Sequence, residues 1–256
     1  MYAVKIKILV AAHKPYWMPG GDCYLPIHVG CAGKQSIGFQ GDDTGDNISA
    51  KKPALLQLTA LYWAWKNLQA DYIGGSSTTA ARCYFTRREV RRVEARKQEI
   101  LTTADWEQLL QIILSSCRTS GAITSRATAH TTTMPITPRA SISLSRSSPS
   151  SSRRICVMDR SWAHMFNMFV MRRDFFDAYC SWLFAVLGEL EQRIDITGWN
   201  TYESRVFGFV SERLLDVWLE HNHIDYHEQN VSFLEHQDWL KKGSTFLLRK
   251  ISGNRY

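Results

Sequence analysis

The residues of this chain best suited to chemistry occur in short polar groups set between apolar runs. The densest is "GDDTGDN" (Gly41–Asn47), which gathers Asp42, Asp43, Asp46 and Asn47 in one loop. Three carboxylates and an amide there can hold a hard cation through oxygen ligands or bind hydroxyl groups. The same spacing suits an Asx-rich turn that caps the next segment. His13 and Lys14 follow an apolar run and form either a binding pair or a plain surface loop. Lys66 and Asn67 close a helical pattern in which Trp65 belongs to the core. His164 and Asn167 interrupt the apolar "AHMFNMFVM", either to bind hydroxyl groups or as satisfied core polar groups. Arg205 and Glu212 stand seven apart, two turns along one helix face. Glu212 can serve as a general base, or the two can form a structural ion pair. His221, His223 and His227 would need one continuous helix to share a metal; "EHNHIDYHEQ" instead reads as a helix end turning into a strand, leaving surface histidines.

The elements around these groups follow from periodicity. "AVKIKILVAA" alternates Val4, Ile6 and Ile8 against Lys5 and Lys7 and then becomes wholly apolar, as a strand entering a core does. Ile27–Gly30 reads as a second strand and "ADYIGG" as a third. Between them, Leu55, Leu58, Tyr62 and Trp65 share one helical face, with Pro53 at a natural helix start. This order predicts an α/β fold with helices flanking a mixed sheet. In the second half, "AHMFNMFVM" alternates like a strand and "RDFFDAYCSWLFAVLGELEQRI" is an amphipathic helix. Asn200 and Glu203 form a capping box for a helix whose apolar stripe is Val206, Phe207, Val210, Leu214 and Val217.

Bulk composition narrows the classes. With 256 residues and 45% hydrophobic content, the chain can bury a sizeable core. The net charge of +7 permits contact with nucleic acid, anionic lipid or phosphorylated ligands without choosing among them. Much of it lies in "RREVRRVEARK" (Arg87–Lys97), which reads as a solvated helix face with Glu94 and Glu99 partly compensating. The six cysteines have no CxxC spacing, so neither a zinc site nor a redox motif is indicated, and free thiols in a cytoplasmic protein are expected. The N-terminus lacks the apolar core and cleavage site of a signal peptide. The apolar helix near Tyr179–Leu190 is too short to span a bilayer.

The middle is of another kind. Between Glu107 and Trp162 there is no aromatic residue and no acid before Asp159. At 12% aromatic overall, about six would be expected there. Such a stretch buries too little apolar surface to offset its ordering entropy, which predicts a disordered or poorly packed segment.

The flanks carry a specific resemblance. "KILVAAHKPYWMP", "YLPIHVG", "GFQGDDTGDNIS", "SWAHMFNMFVMRRDFFDAYCSWLF" and "RVFGFVSERLLDVWL" stand in the order of one family. The chain resembles the bacterial DUF4422 family, found among capsular and exopolysaccharide biosynthesis proteins of the GT-A glycosyltransferase type. The resemblance implies a single GT-A-like domain over residues 1–256, with a nucleotide-sugar half at 1–74 and an acceptor-side helical half at 157–256. It implies a nucleotide-sugar donor and a saccharide or lipid-linked saccharide acceptor. It also implies a cytoplasmic site, peripheral to the inner membrane at most, and no specific nucleic acid. His13, Lys14, Asp42, Asp43, Asp46 and Asn47 then become donor-side candidates. Lys66, Asn67, His164, Asn167 and Arg205 become sugar-side candidates, with Glu212 the base of an inverting reaction. Many such enzymes hold Mg2+ or Mn2+ with an Asp-x-Asp motif, and no clear one ends the third strand here. A basic, non-enzymatic module that uses Arg87–Arg96 and the Arg/Ser-rich middle to bind nucleic acid or another polyanion is the alternative.

The chain departs from the family pattern at two places. After Gly75 the family continues Leu-Val-His-Tyr-Arg-Arg, where this chain has Ser-Ser-Thr-Thr-Ala-Ala. Codons CTC GTC CAC TAC CGC CGC, read one base later, spell those six small residues. "CRTSGAITSRA" (Cys117–Ala127) decodes the same way. Two translated frameshifts, at residues 75–83 and 115–156, are therefore expected, together with a weakened grip on the leaving diphosphate.

Overall fold

The structure, a computed structural model, describes residues 4–77, 83–90, 92–116, 120–125, 128–130, 162–200 and 203–234. Its centre is one sheet of β1 (Ile6–Ala12), β2 (Tyr24–His28), β3 (Gln40–Gly41), β4 (Tyr72–Ser77), β6 (Ser120–Ser125), β9 (Phe169–Arg172) and β10 (Asp225–Gln229). The spatial order is β10-β6-β9-β4-β1-β2-β3. β9 runs antiparallel to both β4 and β6, whereas the other pairings are parallel. Residues Ile8–Ala12 are buried without a break, as expected of a parallel strand covered on both faces. Two short antiparallel pairs stand beside the sheet: β5 (Cys83–Phe85) with β11 (Val231–Phe233), and β7 (Thr128–His130) with β8 (Trp162–His164).

Helices cover each face. On one side α2 (Leu58–Asn67), α5 (Arg173–Arg193) and α6 (Val206–His221) bury Leu58, Leu61, Phe176, Tyr179, Leu183, Phe207 and Leu214 with the sheet. The apolar stripe expected for α6 is buried throughout. On the other side α4 (Thr103–Ser116) packs Trp106 and Leu110 against Tyr84 and Phe85, with α3 (Val93–Glu99) beside it. Of the expected Asn200–Glu203 box, the Glu203 N–H donates to Asn200 Oδ1 at 2.9 Å, but this bond caps the short turn Glu203–Arg205 rather than α6, which starts at Val206 without a side-chain cap.

Two elements differ from expectation. The helix starting at Pro53 is broken into α1 (Lys52–Leu55) and α2, because Leu56 takes a left-handed backbone with φ of 56°. Its side chain abuts α6 at Gly208, where an added Cβ would lie 2.8 Å from Leu56 Cδ1. Close helix packing thus replaces helix continuity. The strand expected over 163–171 is likewise two strands, β8 and β9, joined by a tight turn at Met165–Asn167. Phe166 (φ 67°) and Asn167 (φ 50°) are left-handed, so the alternation of apolar residues continues but the extended backbone does not.

Parts of both suspect segments are ordered elements. Ser76 and Ser77 complete β4, in register with Val10 and Ala11 of β1. Within the segment expected to be disordered or poorly packed, Ser120–Ser125 forms β6, with Ala122, Ile123 and Thr124 buried between β9 and β10. Residues 78–82, 117–119, 126–127 and 131–156 lie outside the described residues, as does the bulk of the frameshift expectation.

Candidate active site

From β1 the chain builds outward through β2 and β3, then crosses to the opposite side of β1 to lay down β4. The strand order therefore reverses between β1 and β4. In an open α/β sheet such a reversal leaves a crevice outside the carboxyl ends of the strands, where ligands bind. A small hollow with room for about one water lies beside it, between the sheet, the Met165–Asn167 turn and α2, lined by Leu9, Ala11, Gln57, Leu58, Gly75 and Asn167 among others. Two glycines let β9 and its preceding turn approach. A Cβ on Gly74 would lie 2.3 Å from the Phe169 carbonyl oxygen, and one on Gly75 would lie 3.0 Å from that of Asn167.

The Met165–Asn167 turn is held against the first half of α6. Asn167 is 4% exposed and donates from Nδ2 to Ser211 Oγ at 2.9 Å. Its Oδ1 is buried with no hydrogen-bond partner among the described residues. Glu212 is half-buried, and burial pushes its carboxyl up to about 7 despite the opposing effect of the Phe166 N–H. His164 is 1% exposed, its Nδ1 bonded to Asp216 Oδ1 and its backbone N–H donating to Asp216 Oδ2 at 3.0 Å. Nε2 lies 3.6 Å from Glu228 and the ring meets Tyr226 edge-on. His164 is thus a buried brace between β8, α6 and β10. Of the polar pair expected on this segment, Asn167 alone lines the hollow.

The remaining candidates separate in space. His13 and Lys14 stand exposed just beyond the carboxyl end of β1, with Tyr16 Oη 3.3 Å from His13 Nε2 and Lys14 Nζ 5.2 Å from the Tyr16 ring centre. The acidic loop is an Asx turn with a buried anchor. Asp42 is 0% exposed and accepts from Gly30 N–H at 2.7 Å, Cys31 N–H at 3.1 Å and Ser49 Oγ. Burial alone would raise its carboxyl. Donors from Ser49, Thr59, Gly30 and Cys31 outweigh that and hold it below the usual carboxylate range. Asn47 donates to the carbonyls of Asp43 and Gly45 and accepts from Ser49 N–H at 3.2 Å. Asp46 is tied to the last turn of α2, accepting from Tyr62 Oη at 3.2 Å while Asn67 bonds its backbone N–H and carbonyl.

Because α2 returns to the start of β4, Asn67 stands at the end of the sheet opposite the crevice. Asn67, Asp46 and Asn47 therefore serve the loop rather than the cleft. Lys66 lies 3.5 Å over the Trp65 ring, which stacks on Phe184, so it too leaves the crevice. Asp43 is exposed in the same loop. Among the described residues, no three His, Cys, Asp or Glu side chains converge as metal ligands.

Arg205 is exposed in the short turn before α6, about 10 Å along the axis from Glu212, and the two form no pair. His221, His223 and His227 are exposed, and the strand expected after α6 is β10. Cys23, Cys31 and Cys180 are buried free thiols. In the basic run, Arg87 pairs with Asp105, Arg88 with Glu99 and Lys97 with Glu94, while Arg96 donates to the carbonyls of Val90 and Phe233. Sequence reasoning missed Ser211 and Asp216. Their signal was a polar side chain set beside the apolar stripe of α6.

A family model described as "Domain of unknown function (DUF4422)" matches residues 7–223, most of the chain. The chain belongs to this family. The DUF4422 match runs from β1 to beyond the end of α6 and so includes the crevice, His13, Lys14, Asn167 and Glu212. The DUF4422 chain is also similar to a solved structure described as the apo form of the WbbM bifunctional glycosyltransferase. Identity is 27% and the TM-score 0.74, over 91% of this chain and 46% of that one. It thus spans about half the length of that protein. No curated protein matches it. No described helix is long and apolar enough to cross a membrane.

Proposed function

We propose that this DUF4422 chain is a glycosyltransferase that moves a sugar from a nucleotide-sugar donor to a saccharide or lipid-linked saccharide acceptor. The observation that carries this reading is the crevice at the β1/β4 reversal, in a sheet similar to that of a glycosyltransferase. Capsular or exopolysaccharide assembly, on the cytoplasmic face of the inner membrane, is the proposed setting. His13 and Lys14 are exposed just beyond the carboxyl end of β1, and a cation with a hydrogen-bonding ring there suits a diphosphate. Glu212 is the proposed base. A carboxyl near 7 accepts a proton close to neutral pH, where general-base catalysis is most effective. The acceptor hydroxyl would give its proton to Glu212 as its oxygen bonds the anomeric carbon. The bond from that carbon to phosphate breaks, and the nucleoside diphosphate leaves with the electron pair.

The Arg87–Lys97 part of the basic-module alternative loses support because the cations of Arg87, Arg88, Arg96 and Lys97 are engaged within the chain; its Arg/Ser-rich part lies largely outside the described residues. Thermal unfolding with UDP-, GDP- and dTDP-sugars tests the proposal. At ten times Kd, stabilisation is about 1.4 kcal/mol, a midpoint rise of roughly 3–6 °C. No rise with any donor, combined with salt-sensitive binding to a generic polyanion, would overturn it.

A further inference from the structure

The outermost strand, β10, carries an aromatic ring and a carboxylate side by side. Tyr226 is 37% exposed, and the Glu228 side chain is 35% exposed. Two residues apart on one strand, they share a face and stand about 7 Å apart. Both lean on His164. Its ring centre lies 5.0 Å from that of Tyr226, edge-on, and its Nε2 lies 3.6 Å from the Glu228 carboxylate. Asp216 fixes His164 in turn, through both the ring Nδ1 and the backbone N–H. Burying an imidazole against a carboxylate costs desolvation, and here the buried dyad supports two side chains that stand partly in water.

The register across the sheet locates this pair. Gly75 pairs with Phe169, Phe169 with Thr124, and Thr124 with Glu228. Glu228 is thus level with Gly75 but three strand spacings, about 14 Å, from β4. Tyr226 pairs with Ala122, which packs into the core under α5 and α6, so the pair faces the α6 side of the sheet. Thr124 stands on that same face. It is fully buried, and its hydroxyl has no hydrogen-bond partner among the described residues. Buried hydroxyls are nearly always bonded, so a polar group is called for beside Glu228.

A ring and a carboxylate at this spacing suit a saccharide, whose C–H face stacks on an aromatic while its hydroxyls donate to oxygen. We propose that Tyr226 and Glu228 form an outlying acceptor subsite. It holds a unit of an oligosaccharide remote from the one that reacts in the crevice, with His164 as the positioning residue. This rests on the glycosyltransferase reading and adds a substrate class to it, because a single sugar ring is too short to occupy both places.

The test separates chain length from simple sugar binding. Mono- to hexasaccharides of glucose, galactose, mannose and N-acetylglucosamine are titrated into the intact chain, with and without UDP, and binding is read by ligand-observed saturation-transfer NMR. At least one series should bind more tightly as it lengthens. Tyr226→Ala and Glu228→Ala should each weaken the longest bound oligomer roughly 3–10-fold and leave its monosaccharide unchanged. Tyr226→Phe, which keeps the ring, should retain most of the binding. His164→Asn keeps a donor for Asp216 but withdraws the ring, and should reduce the preference for length. Undiminished oligomer binding by folded Tyr226→Ala or Glu228→Ala would overturn the subsite. Equal weakening of monosaccharide and oligomer would also overturn it, as would a wild type that binds nucleotide sugars but prefers no oligomer to its monosaccharide. Failure to bind any nucleotide sugar would instead reject the underlying transferase reading, and the subsite with it.

Discussion

Removing the carboxylate of Asp42 should destabilise the fold far more than it affects any ligand. Buried donors converge on it, chief among them the N–H groups of Gly30 and Cys31 and the hydroxyl of Ser49. In Asp42→Ala each is left without an acceptor, at about 1–3 kcal/mol apiece, so with some relaxation the loss should be about 3–5 kcal/mol. For a chain of this size that lowers the unfolding midpoint by roughly 6–20 °C. Asp43→Ala, one residue along and exposed, should stay within about 0.5 kcal/mol. Urea unfolding followed by tryptophan fluorescence measures both. The sign with pH follows from the same donors. A depressed carboxyl contributes stability above its unfolded value near 3.9, and that contribution is lost as pH falls through the folded value. If Asp42→Ala unfolded at the wild-type midpoint but no longer responded to nucleotide sugars, the structural assignment would be refuted and the carboxylate returned to the binding site.

Other outcomes follow from particular contacts. Gly74→Ala places a methyl 2.3 Å from the Phe169 carbonyl and 2.6 Å from Val170 Cγ2; β4 and β9 must part, and chemical denaturation should show a loss of at least about 1–3 kcal/mol. The Arg87 guanidinium, against the weaker opposing effect of burial, helps hold Asp105 at about 2, so stability carried by that pair is present above about 4 and fades between pH 4 and 2; Asp105→Asn should flatten that limb of a pH–midpoint curve. Lys66→Ala should leave donor affinity within about twofold, because the ammonium lies on Trp65 rather than in the crevice; isothermal titration decides it. Replacing Ser76–Ala81 by Leu-Val-His-Tyr-Arg-Arg should tighten nucleoside diphosphate binding, since forked arginines suit a diphosphate; unchanged affinity counts against the out-of-frame reading.

How much of this was legible in the sequence depended on whether the cause was local. The apolar run of β1, the stripe of α6, the Asn200 bond to Glu203 and the strand after the exposed histidines all follow from neighbours within a few residues, and the structure contains each. The motif order was enough to place the family. The roles of polar groups were not legible, because a carboxylate that binds a ligand and one that binds backbone N–H groups look alike in a string. Asp42 and Asn67 satisfy partners 11–12 and 21 residues away, and Asp216 reaches 52 residues back to His164. The left-handed turn at Phe166–Asn167 was hidden beneath an alternation that suits a strand. The room for its close approach comes from Gly74 and Gly75, about ninety residues earlier.

That pairing of a glycine strand with a late antiparallel one bears on assembly. The crevice wall contributed by Phe166 and Asn167 does not exist until β9 has slotted between β4 and β6, a long-range closure that folding theory places among the slow events. A nascent chain that has emerged only through α4 can shape the rim at His13 but has no opposite wall. Sugar recognition, as distinct from loose anion contact, should therefore switch on only when the sheet is complete, making ligand capture a usable stopwatch for the last stage of folding.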